Sequence, residues 1–195
     1  MSQATVFWIH LVLGYVAWLL FFRAYALPRL RSMDWMESQR AIATLHSFRF
    51  FGLVFLVPGV IGPNLPTSFA EFAAYGDFAT GILAILALLT FRIRPLFSFF
   101  VLAFNVVGAG DILIDYYHGN QVGLAPIAGQ LGATYAIPII YVPLLMITHI
   151  AAFCLMVRPQ TRTARVLEPA TRPSPDLAVG PAHLVASRPL VRRVH

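Results

Sequence analysis

Five stretches of this chain are apolar almost throughout, and the ionisable residues that interrupt them recur at intervals of three and four. They run over about 6–28, 41–62, 68–90, 95–117 and 135–157, each reaching the roughly 20 residues an α-helix needs to cross about 30 Å of hydrocarbon. The pattern predicts an all-α fold: a polytopic membrane helix bundle with five transmembrane helices, occupying 1–157. From Arg158 onward the chain turns to Arg, Pro, Thr, Ala and Ser with no periodic apolar face. Residues 158–195 therefore read as a disordered, Arg/Pro-rich tail.

Composition sharpens this picture. Of 195 residues, 58% are hydrophobic and 11% charged, against roughly 25% charged in soluble domains; a mean hydropathy of +0.74 agrees. An ordinary soluble domain and a wholly disordered chain are both excluded. A single cysteine, Cys154, excludes disulfide frameworks and cysteine-ligated zinc or iron–sulfur sites.

A net charge of +6 raises nucleic acid as a partner, but the placement of the charges argues against it. All 14 basic residues are arginines. Arg23, Arg29 and Arg31 lie at or just after the end of the first stretch and Arg40 follows them, Arg92 and Arg94 follow the third, and the tail holds the largest group, while 1–5, 63–67 and 118–134 hold none. By the positive-inside rule the N-terminus is out and the C-terminus in. The tail's positive charge suits anionic inner-leaflet lipids, at about 1 kcal/mol per well-placed arginine. The turn at Asp34–Glu37 places Trp35 in the headgroups, and Gly119–Thr134 reads as an outer connection or a lid.

Charged groups inside hydrocarbon require partners or a wet cavity. At about 1.5 Å per residue from the outer end of each stretch, His118 and Asp115 lie at roughly 0–3 Å, His10 at roughly 6 Å, Asp111 at roughly 9 Å and Asp77 at roughly 14 Å. Deeper come Arg49 and His149 at roughly 20 Å and His46 at roughly 25 Å. Phe104, Gly108, Asp111, Asp115 and His118 share one helix face, Ala73, Asp77 and Gly81 another, and His10, Gly14 and Ala17 a third. The outer set His10, Asp77, Asp111, Asp115 and His118 is a candidate site for a small molecule, a proton or a cation; the competing reading is an acidic surface that is simply solvated. In the inner layer, Arg49 needs an anion, and Asp77 is the carboxylate nearest in depth. An Arg49–Asp77 ion pair is expected, with lipid phosphate or water as the alternative partner.

Three further readings remain open. His46 and His149 lie within roughly 4 Å in depth and are candidate axial ligands of a b-type haem. A metal-dependent lipid-modifying enzyme is a further reading, although no recognisable nucleophile motif and no HxxxH or HExxH pair supports it. A non-catalytic membrane subunit or assembly partner needs no site at all. Whether the chain is an enzyme, and which metal or cofactor it holds, is left open by its residues.

The stretches AYGDFATGILAILAL (74–88), FNVVGAGDILIDYYHG (104–119) and IPIIYVPLLMITHI (137–150) resemble a group of small multi-pass bacterial membrane proteins that carry no assigned activity. The resemblance implies a helical fold in the bacterial inner membrane. It carries over no catalytic residue, cofactor or substrate.

Overall fold

The computed structural model describes residues 1–157, and every regular element among them is helical. The Arg/Pro-rich segment 158–195, with its expected disorder and lipid affinity, lies outside the described residues. Four helical runs, Gln3–Ser32, Thr67–Leu89, Arg94–Gln121 and Ile137–Met156, are long and apolar enough to cross a membrane.

Helix α1 (Gln3–Phe21) begins at Ser2, whose Oγ accepts from the Thr5 amide at 3.1 Å, as a free first-turn N–H demands. It passes through a π turn, Phe22–Ala26, into α2 (Leu27–Ser32). Pro28 lacks an N–H and crowds the carbonyl four residues back, and the wider turn relieves that crowding. Asp34 caps α3 (Trp35–His46) by accepting from the Glu37 amide at 3.0 Å. Trp35 opens this helix with its ring edge-on to Phe97 at 5.8 Å. The residues expected at the headgroups thus form a helix start, with Trp35 packed on α5.

Helix α3 runs on into a ten-residue 3₁₀ helix, Ser47–Leu56. Two long helices follow, α4 (Thr67–Leu89) and α5 (Arg94–Gln121). A kinked 3₁₀ segment, Ala125–Tyr135, comes next, with Ala125, Ala128, Leu131 and Thr134 buried. This connection packs along α1. A second π turn, Ile137–Tyr141, leads into α6 (Val142–Met156).

Helix α4 lies between the 3₁₀ helix and α5, and α6 touches α1, α3 and α5. The apolar core falls into two clusters. One gathers Phe7, Leu11, Phe55, Phe69, Leu124 and Leu131; the other gathers Ile42, Ala84, Phe97, Phe104, Ile147 and Leu155. Between them every helix except α1 and α2 contributes a buried polar group: His46, Arg49, Asp77, Thr80, Asn105, Asp111, Thr148 and His149. The functional question lies in this middle layer.

Pro143 frees the carbonyl of Ile139, and that oxygen fills the space a Cβ on Gly14 would occupy. The neighbouring Ile140 carbonyl accepts from the Trp18 indole at 2.9 Å. Backbone groups released in one helix are thus covered by another, as an apolar surrounding requires. Gly14→Val is expected to push α1 off α6 and cost about 1–3 kcal/mol, read as a lower unfolding temperature in detergent; an unchanged temperature would show that this contact does not hold α1.

Candidate functional site

Arg49 is 1% exposed, yet its guanidinium has every donor engaged. Nε and Nη2 both lie 2.6 Å from Asp77 Oδ1, and Nη2 donates to Asp111 Oδ2 at 2.5 Å. Nη1 donates to the Gly108 carbonyl at 3.2 Å and to His149 Nε2 at 3.3 Å. Four hydrogen bonds and the second ion-pair contact to Asp77 Oδ1 thus engage all three guanidinium nitrogens. Three helical elements are thereby tied at one point, Arg49 coming from the 3₁₀ helix, Asp77 from α4 and Asp111 from α5.

Glycines make the convergence possible. The Asp77 carboxylate occupies the place of a Cβ on Gly52, and the Asp111 carboxylate that of a Cβ on Gly76. A Cβ on Gly108 would stand 2.6 Å from Arg49 Nη1, His149 Nε2 and Thr80 Cγ2 alike. A Cβ on Gly81 would meet the Phe50 backbone nitrogen at 2.8 Å. Small residues let these backbones approach closely, and the polar groups fill what the missing side chains leave.

The pairing with Asp77 follows the depth expectation, whereas Asp111 was expected about 11 Å nearer the outer end than Arg49. Element lengths explain the difference. Arg49 lies seven residues from the end of a 3₁₀ helix at Leu56, about 14 Å at 2.0 Å per residue. Asp111 lies ten residues from the end of α5 at Gln121, and Asp77 ten from the start of α4 at Thr67, both about 15 Å. All three share one level.

His149 accepts from Arg49 on Nε2, so its proton sits on Nδ1, which donates to Asn105 Oδ1 at 2.9 Å. Asn105 Nδ2 donates in turn to the Val101 carbonyl at 2.8 Å. The Thr148 hydroxyl donates to the carbonyls of Leu144 and Leu145, and therefore accepts from His46 Nε2 at 3.0 Å. The two imidazoles stack with centroids 4.0 Å apart. Axial haem ligation needs two nitrogens aimed at one iron with a macrocycle between the rings. Here three of the four ring nitrogens are engaged and the rings lie on each other, so His46 and His149 do not fit a haem.

Two of the candidate residues stand apart from the carboxylates. His10 is exposed on α1, where the inward stripe is Phe7, Leu11 and Gly14, and its Nδ1 shares a hydrogen bond with the Tyr135 hydroxyl at 3.0 Å. His118 shares a face of α5 with Asp111, but its ring meets the edge of Phe72 at 4.8 Å. Among the described residues no group of three His, Cys, Asp or Glu is placed to hold a metal ion.

A cavity of about 360 Å³ lies over the triad, between α1, α4, α5 and the Ala125–Tyr135 segment. Its walls are mostly apolar, including Phe7, Trp8, Phe55, Phe69 and Leu131, and its polar lining comes from Asp77, Asp115, Tyr116 and Asn120. Tyr116 shares a 2.6 Å hydrogen bond with the Tyr15 hydroxyl. Asp115 Oδ1 is buried and has no hydrogen-bond partner among the described residues. Neither the cavity nor the tyrosine pair is visible in sequence, since the cavity needs residues 119–135 beside α1 and the pair joins residues of α1 and α5.

Residues 6–157 match the family described as a domain of unknown function (DUF8737), and the chain belongs to it. No curated protein and no solved structure matches the chain.

Loss of the cation should matter more than loss of one anion. Arg49→Gln strands two neighbouring buried carboxylates, a change of about 3–5 kcal/mol, whereas Asp77→Asn leaves the guanidinium with Asp111. Unfolding in mixed detergent is expected to rank the variants wild type, Asp77→Asn, then Arg49→Gln, with the double variant more stable than the sum of the single losses implies. Additive losses would mean that the 2.6 Å contact carries no coupling.

Proposed function

We propose that this DUF8737 protein is a five-span integral membrane protein, N-terminus out and C-terminus in, that binds a small molecule in the cavity above the Arg49 triad. Its place is the bacterial inner membrane, the location that the resemblance of its helical stretches implies. The observation that carries the binding reading is the cavity itself. A mostly apolar hollow of about 360 Å³ with a few convergent polar groups has the size and make-up of a ligand site, for which about 300–1,000 Å³ is usual.

The fifth span is supported by geometry as well as by hydropathy. Helix α3 and the 3₁₀ helix form one continuous run, Trp35–Leu56, whose 12 and 10 residues amount to about 18 and about 20 Å. That exceeds the roughly 30 Å of the hydrocarbon layer, although neither part alone would reach across. The arginine distribution supports the orientation, with the cavity then opening at the outer end beside the arginine-free connections.

The candidate ligand site contracts accordingly. Asp77 and Asp115 line the cavity, Asp111 holds Arg49 beneath it, and His10 and His118 have other partners. We read the arrangement as one for recognition.

Two measurements test this. Gln3→Cys is expected to react with an impermeant thiol reagent added outside intact cells while Cys154 does not, and a cytosol-dependent fluorescent reporter at the C-terminus should be bright; the reverse labelling would invert the topology. Ala73→Phe fills the cavity from α4. Organic extracts of the wild-type protein are expected to contain a small molecule enriched over bulk lipid that this variant, still helical by circular dichroism, no longer retains. Equal extracts, with the protein held instead in a larger complex, would favour a structural subunit.

A further inference from the structure

We infer that the ligand of this cavity is an amphiphilic amine: a hydrocarbon or aromatic body carrying one protonated nitrogen, seated with that nitrogen against Asp115 and Asp77. This rests on the binding reading above and names its ligand class.

Hydrogen-bonding capacity decides the chemistry. A ligand bearing a carboxylate or phosphate would need donors, and Arg49 is the cation nearest the cavity. All three of its nitrogens are engaged, by Asp77, Asp111, the Gly108 carbonyl and His149. The other donors of the lining, the Tyr116 hydroxyl, which shares one hydrogen bond with Tyr15, and the Asn120 amide, carry no charge to offset an anion. Asp77, 95% buried, lines the cavity with one oxygen committed to Arg49, and Asp115 lines it with Oδ1 buried and unpartnered among the described residues. The carboxylate groups facing the hollow are therefore acceptors, and an occupant has to donate to them.

Charge balance selects an ammonium over a hydroxyl. One guanidinium is shared by two carboxyl groups, Asp77 and Asp111, and Asp115, one turn further along α5, has no cation paired with it among the described residues. His149 cannot supply the missing charge, because its Nε2 accepts from Arg49. Nor can His46, whose Nε2 faces the Thr148 hydroxyl on the far side of His149. His118 faces Phe72, and His10 faces Tyr135. A cation brought by the ligand completes the count, and the apolar walls cover its carbon body. A hydrogen bond assisted by charge is roughly twice as strong as a neutral one, so the amine should outbind an alcohol of the same length.

The test uses the full chain in phosphatidylcholine nanodiscs, titrated with decylamine, decanol and decanoate, with bound ligand counted by native mass spectrometry. Decylamine is expected to bind one per protein, at least about tenfold tighter than decanol, with decanoate weakest. Asp115→Asn should bring amine and alcohol close together, and Ala73→Phe should abolish binding of both. Amine and alcohol binding alike to the wild type, both displaced by Ala73→Phe, would keep the cavity as a binding site and overturn the cationic head. Decanoate binding tightest would overturn it too. No saturable binding by any of the three, or binding that Ala73→Phe leaves intact, would overturn the cavity reading and the ligand class with it.

Discussion

A fully buried arginine is the constraint around which this bundle is built. Taking a guanidinium out of water costs several kcal/mol even after relaxation, and the cost is recovered only if every donor finds an acceptor. Arg49 meets that condition with two carboxylates, a carbonyl and an imidazole drawn from α4, α5 and α6. No single helix could satisfy it, so the side chain that is most expensive to bury also fixes the mutual heights of four elements. The glycines at 52, 76, 81 and 108 belong to the same device, since each stands where a methyl group would displace the network or its backbone.

The 3₁₀ stretch that carries Arg49 fits this view. Runs of this helix beyond three or four residues are uncommon because their hydrogen bonds are poorer, and here the run is ten residues long. It packs along α4, with Gly81 against the backbone of Phe50 and Gly52 against Asp77. Its steeper rise carries Arg49 to the level of both aspartates. Ion pairing and close backbone contact thus hold a segment in a form it would not favour by itself, and they do so at the one point where buried charge is concentrated.

Much of this was legible in the residues, and the reasons for the rest are specific. Apolar length marked the four long helical runs, and the small-residue stripes Ala73–Asp77–Gly81 and Phe104–Gly108–Asp111 marked two faces that do pack inward. Depth alone paired Arg49 with Asp77. Depth also hid Asp111, because the apolar stretch 41–62 reads as one α-helix, whereas the chain turns at Val57 and rises faster before it. His10 was misplaced by a single position: Gly14 does face a neighbour, but the stripe that reaches the core is Phe7 and Leu11. His46 and His149 do lie close in depth, and their approach is a stack rather than a pair of ligands. The cavity had no local signal, since its walls come from α1, α4, α5 and a connection that only the folded chain brings over them.

The triad and the cavity are chemically continuous. A free arginine beneath a pocket would attract anions; one already held by aspartates instead presents their carboxyl groups at a buried level. Asp77 is the hinge of this inversion, giving one oxygen to Arg49 while belonging to the cavity wall. Asp115, one turn beyond Asp111 on α5, extends the same acceptor face without sharing its cation. The positive charge that ties the helices together is thus the reason that acidic groups reach the wall of the hollow.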